Sequence, residues 1–233
     1  MEIAFFDNLA VNGKSFLHNA STLSKFIFTA IIINCVIISR GINELIFIAV
    51  LQSVLIIAIR LPIKRIFMAA FNPMFFSLVF AVTKYPPFGY DSLLVLLKTF
   101  SAVLSVLILI SATPFTELFS LLGHFLPSII TDALFVTYRS IFILIQQLDN
   151  HLTIMKIRGG FNGGFINSIK NFSSLLGLVI IRSIDLSERM YHILKIRGYK
   201  GKIYSGKSFL VFNKQDIVSY ILAVGTIMAV ILL

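Results

Sequence analysis

A succession of near-continuous apolar runs is what most limits the folds open to this chain. Residues 23–39 are almost wholly apolar, and so are 45–59, a run that extends back to Ile42 if Glu44 sits at an interface. Residues 66–82 and 93–112 follow, and 217–233 close the sequence. A helix needs roughly 20 apolar residues to cross about 30 Å of hydrocarbon, and within lipid only helices and closed barrels satisfy their own backbone hydrogen bonds. No parallel-sheet pattern occurs, so the expected fold is all-α: a polytopic membrane bundle of about five transmembrane helices. Composition agrees, because 58% hydrophobic residues and 13% charged ones in 233 residues exceed what a soluble domain would bury.

Polar punctuation separates the runs. Residues 1–22 read as an interfacial lead, with Phe5, Phe6, Phe16 and Leu17 resting at the membrane surface. They lack a basic-then-apolar start and a small-residue cleavage site, so no removable signal peptide is expected. Arg60, Lys64 and Arg65 surround Pro62 after the second run, and Asn72-Pro73 interrupts the third. A proline there removes one helix hydrogen bond and introduces a kink that neighbouring helices can accommodate. Lys84 to Asp91 is a turn whose tyrosines suit an interface, and Lys98 is placed to snorkel. The lone Cys35 excludes an intramolecular disulfide and a thiolate metal cluster.

The texture changes after Thr113-Pro114. Residues 113–216 hold 12 Lys and Arg against 6 acids yet contain long helical patterns. One runs from Pro127 to Arg158, and Gly159-Gly-Phe-Asn-Gly-Gly164 reverses the chain. A second runs from Phe165 to Arg197; Asn213 and Asp216 then resemble a cap before the last span. The expected organisation is a cytoplasmic lead (1–22), a four-helix transmembrane region (23–112), a cytoplasmic domain with two long helices (113–216) and a final transmembrane helix (217–233). With the N-terminus inside, 17 of the 20 cations are cytoplasmic, and only Arg40, Lys84 and Lys98 lie toward the outside. Treating Ile129 to Ile145 as a sixth span would move all 11 cations from Lys156 to Lys214 outside, which argues against it.

Within that basic region one string occurs twice, 39 residues apart. Ile154-x-Lys156-Ile157-Arg158-Gly159 is matched by Ile193-x-Lys195-Ile196-Arg197-Gly198, and an acid, Asp149 or Glu188, stands nine positions before each arginine. Nine residues are about two and a half helical turns, so neither acid reaches its own arginine. Two readings fit. Glycine in the left-handed conformation and a cation at the negative helix end make an ordinary cap. Equally, each planar guanidinium is available to carboxylates on a partner.

Other motifs point to no chemistry of their own. Gly201 to Ser208 fits the phosphate-loop pattern G-x-x-x-x-G-K-S, but no buried strand feeds it and no long helix follows. It reads as a basic loop. His18, His124, His151 and His192 show no metal-binding spacing, and no paired acids occur inside the spans, so no metal site and no catalytic constellation are expected.

These features together resemble the transmembrane T component of energy-coupling factor (ECF) transporters, cobalt-type subfamily, which are modular ABC-type importers of vitamins and transition-metal ions. The resemblance is carried by His18 to Phe26 leading into the first span, and by Thr113-Pro114 to Leu118. It continues through Tyr138-Arg139-Ser-Ile-Phe142 with Arg158-Gly159, then Ile181-Arg182-Ser183, Ser187-Glu188-Arg189-Met190-Tyr191 and Arg197 to Gly201. Ile157 and Ile196, where the family usually has a small or different residue, and Asp149 in place of Glu are departures. The resemblance implies a prokaryotic inner-membrane scaffold that is not an enzyme and binds no cofactor, ATP and Mg being held by two cytoplasmic ATPase subunits. It also implies a membrane substrate-binding S component as partner and cobalt as substrate, with nickel or a vitamin as alternatives. Arg158, Gly159, Arg197 and Gly198 would contact the ATPases, supported by Tyr138, Arg139, Arg182, Glu188 and Arg189. Nucleotide binding by this chain through Gly206-Lys207-Ser208, or a role in assembly alone, are the rival functions.

Overall fold

The fold is that of a computed structural model describing residues 7–11, 13, 15–59, 61–84, 89–201, 203 and 216–232. All regular structure among them is helical: α1 (Thr22–Ile38), α2 (Ile42–Ala58), α3 (Ile63–Lys84), α4 (Tyr90–Ala112), α5 (Phe115–Leu122), α6 (Ser128–Ile157), α7 (Phe165–Ile196) and α8 (Asp216–Leu232), with a short helical piece at 7–11. The apolar runs became helices because a helix satisfies its own backbone, and Ser, Thr and Asn side chains within them donate back to carbonyls four residues earlier without ending it. Pro73 lies within α3 without ending it. At the start of α1 the Ser21 hydroxyl accepts the Ser24 N–H, a standard N-cap.

The described residues divide into two compact units, those within Met1–Leu121 and Gly206–Leu233 and those within Leu122–Ser205. In the first unit α4 is the central helix and packs against α1, α2 and α3, while α8 packs chiefly on α1. Serines at positions 92, 101, 105 and 111 are buried along α4, and small polar residues of this kind let helices approach closely where lipid supplies no hydrophobic drive. Gln52 of α2 fills one such approach, its Nε2 donating to the Ser101 carbonyl at 3.0 Å and to Ser105 Oγ at 2.7 Å. Apolar side chains including Phe28, Ile32, Leu45, Ile48, Ile56 and Leu104 form the core, and Cys35 is a buried free thiol beside them.

Polar ties close the ends of this bundle. Lys25, only 2% exposed, donates to the carbonyls of His18 and Ala112, both at 3.0 Å. Thr22 donates to Glu117 of α5 at 2.9 Å. Asp216 accepts from the Ser21 N–H at 2.6 Å and Ser24 Oγ at 3.0 Å. One carboxylate oxygen thus ties the start of α8 to the start of α1; Asn213, expected to share a cap with Asp216, lies outside the described residues. At the other end of α1, Lys98 Nζ donates to the Ile37 carbonyl at 3.0 Å, and Glu44 accepts from Ser39 Oγ and the Arg40 N–H. The expected snorkelling lysine thus satisfies the last turn of a neighbouring helix.

Three helices, α3, α4 and α6, are long and apolar enough to cross a membrane by length and composition, and α1, α2 and α8 are shorter apolar helices. The protein is a multi-pass, all-helical membrane bundle. The second unit consists of α6 and α7 with the segments that flank them. Its boundary follows Leu121, so α5 stays with the bundle although the sequence changes texture at Thr113.

Candidate functional site

Both copies of the repeated string end their helices in the same way. After α6, Arg158 takes the cap position, Gly159 has φ +68°, and its N–H donates to the Lys156 carbonyl at 3.1 Å. The Gly160 N–H then donates to the Met155 carbonyl at 2.9 Å. After α7, Gly198 has φ +72°, its N–H donates to the Lys195 carbonyl at 3.1 Å, and the Tyr199 N–H donates to the Leu194 carbonyl at 3.0 Å. Each is a complete Schellman motif, in which the two residues beyond the cap donate back to the last helical carbonyls. Only a left-handed residue closes this turn, which is why glycine stands in both places.

The caps leave the cations outward. Arg158 and Arg197 are exposed, and the isoleucines before them are 80% and 86% exposed. Among the described residues neither guanidinium has a carboxylate partner. Asp149 and Glu188 lie on the opposite faces of their helices, as the nine-residue spacing requires. Capping and partner docking are therefore compatible: the glycine N–H groups make the cap, and the arginine side chains are left over from it.

The two tips are held differently. At the first, Asn171 Nδ2 of α7 donates to the Gly160 carbonyl at 2.8 Å, and Ser168 Oγ donates to the Phe161 carbonyl at 3.2 Å. The second is held from across the unit. Asp132, one turn into α6 and 5% exposed, accepts the Tyr199 hydroxyl on one oxygen and the Ile203 N–H at 2.8 Å on the other. That hydrogen bond to Asp132 raises the Tyr199 pKa above its ordinary value, with burial and the repulsion a phenolate would feel beside the carboxylate adding to it. The short loop joining α6 to α7, together with this long-range tie, makes the helices an antiparallel pair. The tips therefore lie at opposite ends, separated by most of the α6 length between Asp132 and Arg158, roughly 40 Å at about 1.5 Å per residue.

The expected supporting residues are spread along this pair. Tyr138 packs edge-on against Phe142 with ring centroids 4.9 Å apart, which fixes one stretch of α6. Arg139, Arg182, Glu188 and Arg189 are exposed. Leu175, Leu186 and Met190 form the buried face of α7. Two polar anchors escaped sequence reading. Asp132 was visible only as a charge in an apolar stretch, and Lys25 only as one more cation; an isolated charge near the start of an apolar helix was the available signal. Most of the phosphate-loop pattern, Gly206-Lys207-Ser208 included, lies outside the described residues.

The family described as CbiQ, cobalt transport protein, matches residues 13–207. A protein of Methanocorpusculum labreanum named as a fused cobalt transport protein, CbiMQ, is 31% identical over 109 residues, covering 46% of this chain. The aligned part is 18% of that relative's length, so the chain spans less than a fifth of it. The family match covers both Arg-Gly endings and the Lys25 anchor, and extends over most of the chain. The chain belongs to the CbiQ cobalt transport protein family, the transmembrane T component of energy-coupling factor cobalt transporters.

Proposed function

We propose that this chain is the scaffold of an ECF-type importer, coupling ATP hydrolysis on two cytoplasmic ATPase subunits to cobalt uptake through a membrane S component. It hydrolyses nothing itself. The observation that carries this reading is the pair of identical Schellman ends, each presenting an exposed arginine, at opposite ends of one antiparallel helix pair. Two similar ATPases need two similar plugs, and a guanidinium beyond a rigid cap is pre-organised for a carboxylate-lined groove. Closing of the ATPase pair would displace the tips, and α6 and α7 would carry that motion toward the membrane subunits. Tyr138, Arg139, Arg182, Glu188 and Arg189 would support the two helices under this load. The cation count favours a cytoplasmic position for α6 and α7 in a prokaryotic inner membrane, although α6 is apolar enough to span.

The test is co-purification of tagged wild type, Arg158→Glu, Arg197→Glu and the double variant with the host's ATPase subunits. Reversing a charge at a desolvated ion pair costs several kcal/mol, enough to lose a subunit. Wild type retaining ATPases that the double variant loses supports the reading; equal retention by all four defeats it. Cobalt, nickel and vitamin uptake by cells carrying the intact complex then separates the substrate classes.

A further inference from the structure

A carboxylate buried near the start of a mostly apolar helix costs free energy unless its oxygens are hydrogen-bonded. Asp132 meets that requirement with groups from the far end of the chain's other long helix, the Tyr199 hydroxyl and the Ile203 N–H. Tyr199 is the second residue after Arg197, and its own N–H closes the Schellman motif on Leu194. The same residue thus ends the helix that bears Arg197 and fastens that end to α6. At Arg158 the corresponding position is Gly160, which has no side chain; the holding bond comes from Asn171, in the helix that immediately follows. The string is repeated, and its anchorage is not.

We propose that Asp132 and Tyr199 are positioning residues for the second tip, a latch that makes Arg197 move together with the start of α6. The inference rests on the coupling function proposed above and adds an asymmetry to it. Displacement of the Arg197 tip is passed directly to the Asp132 end of α6, where the chain leads back through Pro127 to α5. Displacement of the Arg158 tip acts on the other end of α6 and on the start of α7. An acid kept at Asp132 only for the dipole of its own helix would not need the Tyr199 hydroxyl.

The test uses the full complex of scaffold, ATPases and S component in lipid vesicles, with Tyr199→Phe, Asp132→Asn and the double variant. Amide exchange at Ile203 reads the latch, and cobalt uptake per ATP hydrolysed reads coupling. Removing one hydrogen bond to a charged group should lower Ile203 protection about tenfold in Tyr199→Phe. The ATPases should remain bound in every variant, uptake per ATP should fall in each, and the double variant should be no worse than the poorer single one. Uptake per ATP equal to wild type despite lost protection overturns the proposal, as does additive loss in the double variant. Loss of the ATPases from Tyr199→Phe would mean a merely structural role, which also overturns it. The Arg158→Glu/Arg197→Glu double variant is run beside them: if it keeps its ATPases as wild type does, the coupling reading fails and the latch role with it. If it loses them while Tyr199→Phe couples like wild type, the latch alone fails.

Discussion

Gly198→Ala isolates what the cap contributes, because the geometry leaves it one way to act. A Cβ at Gly198 would meet nothing within 4 Å, so the substitution brings no clash. What changes is the backbone: at φ +72° an L-residue pays about 1–2 kcal/mol that glycine does not. At about 1.4 kcal/mol per tenfold, that moves the balance between capped and frayed helix ends by about five- to thirtyfold. Amide exchange of Tyr199, whose N–H donates to Leu194, should lose protection by that factor, and ATPase retention should weaken in parallel. Gly198→Asn should cost less than alanine, since asparagine tolerates the left-handed region better. Gly159→Ala, at φ +68° with only Asn162 Nδ2 at 3.7 Å, should behave alike. Gly160→Ala differs in kind, because its Cβ would lie 2.6 Å from Met155 Cγ and 3.0 Å from the Met155 carbonyl. Wild-type protection and ATPase binding in both Gly198→Ala and Gly159→Ala would refute the claim that left-handed caps shape the tips.

Other consequences concern the bundle. Lys25→Met should strand the His18 and Ala112 carbonyls, and a buried acceptor left without its donor costs about 1–3 kcal/mol, so the unfolding temperature in detergent should drop clearly. Burial first, and the Lys25 ammonium second, hold His18 below its ordinary 6.5. The unfolded chain therefore binds a proton that the folded one resists, so stability rises with pH in this window and is lost as pH falls below about 6.5. Unfolding midpoints followed down from pH ~7.5 to ~5.5 should decline in wild type and flatten in His18→Gln. Gln52→Leu removes two interhelical hydrogen bonds, each worth about 1 kcal/mol, and should lower the same midpoint without changing ATPase retention.

Periodicity and hydropathy reveal helices, and here they located the runs to within a few residues. The third run began at Ile66 in the sequence but its helix begins at Ile63, because Lys64 and Arg65 are as helical as their neighbours and merely not apolar. The eight residues of α5 are too few to display a period, so that helix was not separated from the region after Thr113. Polar partners were the least legible part. Lys98 finds the carbonyl of Ile37, Asp216 finds Ser21 and Ser24, and Asp132 finds Tyr199 and Ile203. Each pairing joins residues far apart in sequence, and no local pattern encodes it. The Arg-Gly tips were legible because the repeat carries its own local chemistry: a helix, a cation, then the residue that can turn left-handed.

The central claim is that each tip enters an ATPase subunit, and site-specific photo-crosslinking tests it most directly. A photoreactive amino acid at Ile157 or at Ile196, the exposed neighbours of Arg158 and Arg197, would be activated in cells carrying the intact complex. The account predicts an ATPase adduct from both positions, each lost when the adjacent arginine is changed to glutamate. Adducts to lipid or to the S component alone, from either position, would contradict it.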